Sequence, residues 1–427
     1  MKFRIKRQLL NKALSFAYKP ILSVGDESLP LYVKSVCIEV SNKKISFYGT
    51  NLDTLYAYNV EVKKDECEVE RVGKCLLYAK TFFTLLKKYA GDDWVDCEIV
   101  QNDVADYEKE EYNVVHSFNV KYKKSNQSLG CELKFEWPAD KLKIKDINNS
   151  FKIPSSIFVD SVGRVLFACG NNPERADLRN LCVQFSGNKI FFVATSGPNL
   201  AVYESTSEYQ QQEKRMLLRK DAIPSDKKLL NEDKEISISF GTNSKKNEVI
   251  YINHDLGGDS FDIYAKPIRI NGPDGNDFPN WRMLYDARLT SIKLATTSRK
   301  DCYDVLDRLC VVSPSFCIFS IVNDEISFSG GTHEKIQSTN CNFNESLTST
   351  TFKNNMICIN STMFRDSVKN IKGDTLSIAS LNLENGASLV QLSSPEDPDF
   401  VFLLNTLREE AEEEVEALYE EEEEVPF

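Results

Sequence analysis

Three stretches of this chain repeat one another at domain-sized intervals. Residues 36–50 read VCIEVSNKKISFYGT, residues 181–195 read LCVQFSGNKIFFVAT and residues 316–332 read FCIFSIVNDEISFSGGT. Each places a cysteine in an apolar strand, then a polar turn, then Ile-x-Phe and a small-residue end closing on threonine. Cys37, Cys182 and Cys317 lie 145 and 135 residues apart. The alternation on both sides of each turn predicts a β-hairpin. The surroundings repeat as well. Amphipathic helices are predicted before the hairpins at 6–18, 155–169 and 300–312. Strand-then-helix units follow them at 75–89, 216–230 and 357–371, with Pro224 breaking or shifting the middle helix. Such units give an α+β protein of three tandem similar domains, with helices on one face of antiparallel sheets. The boundaries read 1–146, 147–287 and 288–408.

A chain of 427 residues exceeds one ordinary core, in keeping with several domains. No apolar run approaches the roughly 20 residues that a membrane helix needs, and MKFRIKRQLLNKAL reads as an amphipathic helix rather than a signal peptide. The expectation is a cytoplasmic protein with no membrane partner. The net charge of −12 is unevenly distributed. Residues 409–427, EEAEEEVEALYEEEEEVPF, hold eleven glutamates and no cation; without them 53 acidic residues face 52 basic ones. The body is therefore balanced, and the acidic tail is a separate object. The tail is expected to be disordered when unbound, because its glutamates repel and its few apolar residues cannot form a core. It reads either as a solubility tail, or as a self-docking segment, or as a repeller of phosphates. The twelve cysteines contain no C-x-x-C and mostly sit in apolar runs, which predicts free core thiols.

No catalytic constellation emerges. The three histidines, His116, His254 and His333, are scattered, and P-loop, dinucleotide and nucleophile-elbow motifs are absent. The loop 271–278, NGPDGNDF, lacks calcium-loop spacing. The reading is a protein that is not an enzyme and uses no cofactor or metal. Basic residues recur on the repeated helices and their flanks: Lys6, Arg7 and Lys12; Lys80, Lys87 and Lys88; Arg215, Arg219 and Lys220; Arg299 and Lys300; Arg365 and Lys369. Each segment alone could be a solvated helix face. Their recurrence in all three repeats points to one basic surface facing phosphates.

With these features in place, the chain resembles the bacterial DNA polymerase III beta subunit family, the DNA sliding clamps, over residues 1–408. The resemblance rests on MKFRIKRQLLNKAL, on SLPLYVKSVCIEVSNKKISFYGTNLDT (28–54) and on RADLRNLCVQFSGNKIFFVATSGPNLAVYES (175–205). DGNDFPNWRML (274–284) and SLVQLSSPEDPDFVFLLNTLR (388–408) complete it. It implies a head-to-tail homodimer closing into a six-domain ring around duplex DNA. Such a processivity factor tethers a replicative polymerase and meets a clamp loader. It also implies a partner-peptide pocket at Arg175, Leu178, Thr195, Gly197, Pro198, Asn199, Leu200, Pro279, Met283, Leu284, Leu403, Leu404, Asn405 and Thr406. The family's usual Asp-Gly-His-Arg-Leu-Ala is Ser196-Gly197-Pro198-Asn199-Leu200-Ala201 here. Its Met-Pro-Met-Arg-like end is Leu404-Asn405-Thr406-Leu407, and its DNA-approaching aromatic pair is Ala176-Asp177. The same apolar residues also read as inter-domain core. The rival function is a clamp-like interaction scaffold that no longer encircles DNA.

Overall fold

A computed structural model describes every residue except 23–28, 107–110, 173–174, 176, 224–229, 231–232, 269–277, 335–338, 354, 384–385 and 408–427. The acidic tail, Ala176, Pro224 and the loop before Phe278 therefore fall outside the described residues.

In chain order the strands are β1 (Lys2–Lys6), β2 (Ser35–Val40), β3 (Lys44–Thr50), β4 (Thr54–Glu61), β5 (Cys67–Arg71), β6 (Gly73–Tyr78), β7 (Trp94–Asp106) and β8 (Glu111–Tyr122). There follow β9 (Ser125–Glu132), β10 (Ile144–Pro154), β11 (Leu181–Thr195), β12 (Asn199–Leu218), β13 (Glu235–Asn243), β14 (Glu248–Asp255), β15 (Ser260–Ala265) and β16 (Ile292–Ser298). The last are β17 (Cys317–Val322), β18 (Glu325–Glu334), β19 (Thr339–Thr351), β20 (Asn355–Ile359), β21 (Thr375–Asn382), β22 (Ser388–Ser394) and β23 (Asp397–Asn405). The helices are α1 (Arg7–Leu22), α2 (Ala79–Lys87), α3 (Ser155–Val165), α4 (Trp281–Ala287), α5 (Arg299–Val312) and α6 (Ser361–Asn370). Every strand pairing is antiparallel. The α+β architecture expected from the hydrophobic patterning is what the chain adopts.

The chain forms two compact units, residues 1–159 with 219–268 and residues 160–218 with 269–427. Each is organised around one continuous sheet. The first runs β10-β13-β14-β15-β4-β3-β2-β6-β9-β8-β7-β1-β5 and the second β11-β12-β23-β22-β21-β16-β19-β18-β17-β20. The middle repeat thus lends β10 and β13–β15 to one sheet and β11–β12 to the other.

The three repeats keep one pairing scheme. In the first, β2 pairs with β3 (Cys37↔Tyr48) and with β6 (Cys37↔Leu76), and β3 pairs with β4. In the third, β17 pairs with β18 and β20, and β18 with β19. The second departs in form. Its hairpin segment is one long strand, β11, whose early half meets the end of β12 (Cys182↔Leu217) and whose late half meets its start (Ala194↔Ala201). The register shifts on both sides of Gly187, whose φ of 62° suits glycine. These are the counterparts of the β2–β6 and β3–β4 pairings, so the repeat survives with β12 supplying both partners.

Burial follows the alternation. In the first unit α1 packs on β3 and β4. Phe16 meets Tyr56, Tyr58 and Phe261 at ring-centroid distances of 4.9, 5.8 and 4.8 Å. The helix lies so close that a Cβ on Gly49 would sit 1.8 Å from the Ala17 carbonyl oxygen, so only glycine fits there. In the second unit α5 and α6 pack together, each capped by a side chain: Ser298 accepts from the Asp301 N–H and Asn360 from the Met363 N–H. Each sheet also carries a seam where two repeats meet edge to edge. In the first unit β15 pairs with β4 (Ser260↔Asn59 to Ala265↔Thr54). Asn59 Nδ2 donates across it to Asp262 Oδ2 at 2.8 Å. In the second unit β12 pairs with β23 (Asn199↔Leu404 to Tyr203↔Phe400). Beneath this seam the buried Arg164 donates to both carboxylate oxygens of buried Asp397 and stacks 4.9 Å over Tyr203 and 4.4 Å over Phe400.

Cys341 aside, the eleven other cysteines are free, and of these all but Cys131 are buried. Burial pushes the Cys37 and Cys182 thiols up to about 12, leaving negligible thiolate at neutral pH.

Candidate functional site

The peptide-pocket candidates lie in the second unit, where the β12–β23 seam collects most of them. Thr195, Leu200 and Leu403 stand in one row across β11, β12 and β23, and the row continues to Gln391 on β22. Residues paired directly across strands share a face. Asn199 and Leu404 form the adjacent row and face the opposite side of the sheet. The candidate set is therefore divided between two faces, a division invisible in a linear motif. On the Asn199 side its Nδ2 lies 3.6 Å from Met363 Sδ of α6.

The turn before β12 is built from its own polar groups. Thr195 Oγ1 donates to the Asn199 carbonyl and accepts from the Gly197 N–H at 3.1 Å, while Asn199 Oδ1 accepts from the Ser196 N–H at 2.9 Å. Gly197 has a φ of 105°, which explains a glycine before Pro198. Pro198 passes its carbonyl to the Asn405 N–H at 2.8 Å, and the Thr406 N–H donates to the Ser388 carbonyl at 3.2 Å. Leu178 is 5% exposed, its carbonyl bonded to the Gly170 N–H at 2.8 Å. Arg175 is committed to a neighbour: its guanidinium forks onto Asp177, Nε to Oδ1 at 3.0 Å and Nη2 to Oδ2 at 2.8 Å. Burial raises the Asp177 carboxyl, but the Arg175 fork together with the backbone N–H groups of Asp177 and Leu178 outweighs it and holds the group below the usual range.

Pro279, Met283 and Leu284 belong to the α4 segment. Trp281 and Tyr285 anchor α4 on Phe191 of β11, with ring centroids 5.3 and 6.0 Å away. Tyr285 OH donates to Glu204 Oε2 at 2.8 Å. Phe191, Thr195 and Leu200 share a face by strand alternation, so α4 sits on the Leu200–Leu403 side. Thr195, Leu200, Leu403 and Leu404 are buried, whereas Met283 is 62% exposed. Thr195, Leu200 and Leu403 form a floor on one face, Leu404 is buried on the other, and Met283, Gly197, Pro198 and Asn405 are presented to solvent. Gln391, whose Oε1 is buried without a partner, is a residue of this row that only strand register exposes.

The basic candidates divide by what they already hold. Arg7 donates to the Gly91 and Tyr89 carbonyls, Arg299 to the Gly373 carbonyl, and Arg215 to the Phe278 carbonyl while stacking on the Phe278 ring. Arg219 lies 3.6 Å from Asp53, and Arg365 binds Asp366. Lys6 stacks on Trp94, Lys12 on Tyr58 and Lys87 on Phe83. Lys80, Lys87, Lys88, Lys220, Lys300 and Lys369 are exposed.

No protein-family model matches the chain, and no curated protein matches it. Solved structures do. The DNA polymerase III subunit beta from Pseudomonas aeruginosa is 17% identical, with a TM-score of 0.73 over 96% of this chain and 100% of that one. The beta subunit from DNA polymerase of Streptococcus pyogenes is 15% identical at 0.73, with the same coverage. A putative beta subunit from Eubacterium rectale is 14% identical at 0.71, again over 96% and 100%. The chain has the sliding-clamp fold across nearly its whole length. At this identity the likeness is one of architecture, and it agrees with the divergent beta-subunit resemblance read from the sequence.

Proposed function

We propose that the protein is a divergent DNA sliding clamp: two copies, three clamp domains each (1–146, 147–287 and 288–408), close head to tail around duplex DNA and tether a polymerase. In this reading it makes and breaks no bond; it works in the cytoplasm, is placed on DNA by a clamp loader and needs no cofactor. The observation that carries the reading is a fold match covering whole chains on both sides. Strand edges support it. At both seams the strand following a repeat's hairpin (β4, β12) pairs with the last strand of the next repeat (β15, β23). The corresponding third-repeat strand, β19, pairs over Thr339–Thr348 with β18 alone, among the described residues. Among the described residues the last strand of the first repeat, β9, meets β6 only at Cys131 and Glu132, and Ser125–Gly130 pairs with β8 alone. Joining β19 of one copy to β9 of the next repeats the seam a third time and removes two open edges.

The exposed lysines would supply sequence-independent phosphate contacts. Six such contacts give a slope of roughly −5 in log K against log salt. The α4 face beside Leu200 and Leu403 would receive a short partner peptide through Met283. The test is retention: loaded protein is expected to stay on a nicked circular duplex and to leave when the circle is cut. Equal retention on both forms overturns encirclement and favours the scaffold. Met283→Asp is expected to weaken polymerase stimulation about tenfold or more, since one apolar anchor contributes roughly 1.5–3 kcal/mol, while leaving retention on circles unchanged.

A further inference from the structure

Next to the pocket candidates, and sharing Met283 with them, the second unit carries a strip where cations and exposed apolar side chains alternate. The strip starts on α4, crosses the turn at Arg288–Thr290, and continues along β16 onto the residues after β19. Arg282 stacks 4.1 Å over Phe191, Arg288 3.4 Å over Tyr285, and Lys293 Nζ 4.3 Å over Phe352, with Lys353 next in the chain. Both Phe352 and Lys353 are held to β16, their N–H groups donating to the Leu294 carbonyl at 2.7 and 3.2 Å. None of these four cations makes a salt bridge among the described residues, while Arg288 donates to the Tyr285 carbonyl and lies within electrostatic reach of Glu204. Between them stand Met283, Leu289 and Phe352, at 62%, 80% and 54% exposure, and Lys293 shares the row of Gln391, Leu403 and Leu200 and hence the α4 side of the sheet. Large exposed apolar groups rimmed by cations mark a binding surface for something acidic and apolar.

The same chain contains a segment of that chemistry. Residues 409–427 combine eleven glutamates with Val415, Leu418, Tyr419, Val425 and Phe427, and hold no cation. The last described residue before it, Leu407, donates its N–H to the Cys358 carbonyl at 2.9 Å on β20. Met356, 68% exposed, lies two residues along that strand, and Phe352 four residues further back. Six residues span at most roughly 20 Å, and the twenty residues after Leu407 reach roughly 66 Å extended, so the strip is well within range. Tethering gives the segment a millimolar-scale effective concentration at the strip, which suits weak, multipoint contacts.

We propose that the acidic segment 409–427 docks on the Arg282–Lys353 strip of its own chain, glutamates on the four cations and apolar residues on Met283, Leu289 and Phe352. The docking does not depend on the clamp reading. If that reading holds, the segment competes with a partner peptide for Met283, making the tail a built-in competitor.

Zero-length carbodiimide coupling of the full chain tests this, since it joins a glutamate to a lysine only when the two touch. Isotope-labelled and unlabelled chains are mixed so that links within and between chains separate by mass. Links from 409–424 to Lys293 and Lys353 are expected within one chain, about tenfold above those to Lys80, Lys87, Lys88 or Lys369. They should disappear at about 1 M salt, where the screening length is roughly 3 Å. Arg282 and Arg288 support α4, so the variant is confined to Lys293→Gln with Lys353→Gln and Phe352→Ser, which also removes two of the four charges. It removes the coupling sites and the apolar contact, and a labelled probe on the tail should then show increased mobility with unchanged melting. Links spread evenly over the exposed lysines, links only between chains, or an unchanged probe overturn the proposal.

Discussion

His254 is wholly buried on β14, its ring 5.4 Å from Phe261 and its Nδ1 3.0 Å from the Glu235 carbonyl oxygen. Burial lowers its affinity for a proton, against the Glu235 carbonyl and Asp255, which favour the charged form; Lys12 and Lys234 add to the lowering. The folded state therefore binds this proton less readily than the unfolded chain, whose histidines titrate near 6.5. Stability from this group is complete above about pH 6.5 and is lost as pH falls towards the folded value, at up to roughly 1.4 kcal/mol per pH unit. Thermal melting between neutral and mildly acidic pH is expected to show this slope, and His254→Phe to flatten it. An unaltered slope in the variant assigns the acid sensitivity to other groups.

At the scale of elements, α4 is a short helix held by two aromatic side chains and one carboxylate. Trp281 is 1% exposed, and Tyr285 reaches Glu204, which also binds Lys189 at 2.5 Å. Seven residues cannot sustain a helix through propensity alone, so tertiary contact supports it. Truncating Trp281 to alanine is expected to cost about 3–5 kcal/mol and to remove amide-exchange protection from 281–287 first. Protection lost evenly across the second unit contradicts this local role. The seams follow the same logic: β4–β15 and β12–β23 turn strand edges into continuous sheets, and the Asn59–Asp262 and Arg164–Asp397 contacts fix their registers.

For the whole molecule, the proposed ring rests on two part-open strands, β9 and β19. Successive residues of an edge strand point their N–H groups alternately inward and outward. Of Gln127→Pro and Ser128→Pro, one removes a bond to β8 and the other leaves the β8–β9 ladder intact. The second is expected to keep its melting temperature yet halve the mass measured by light scattering. A dimer that survives both substitutions places the junction elsewhere.

The threefold repeat, the α+β class and most helix positions were legible because they depend on local alternation and capping, which neighbouring residues fix. The free, buried cysteines were legible for the same reason, most standing within an apolar strand and Cys302 and Cys310 on the buried side of α5. The second hairpin was not read in its final form: Gly187 marks a turn in sequence, but the length of β12 decides that β11 runs through it. Nor could sequence foretell that the middle repeat divides between two sheets, since that depends on which edges meet. The candidate pocket shows the limit most clearly. Its residues were recognisable as a set, but only strand register assigns Leu200 and Leu403 to one face, Asn199 and Leu404 to the other, and adds Gln391. Among the cations, sequence gave charge and position, and the fold decided which ones backbone carbonyls and carboxylates already hold. Local pattern is written in the chain; the partner across a sheet, often more than a hundred residues away, is chosen by the packing of the whole.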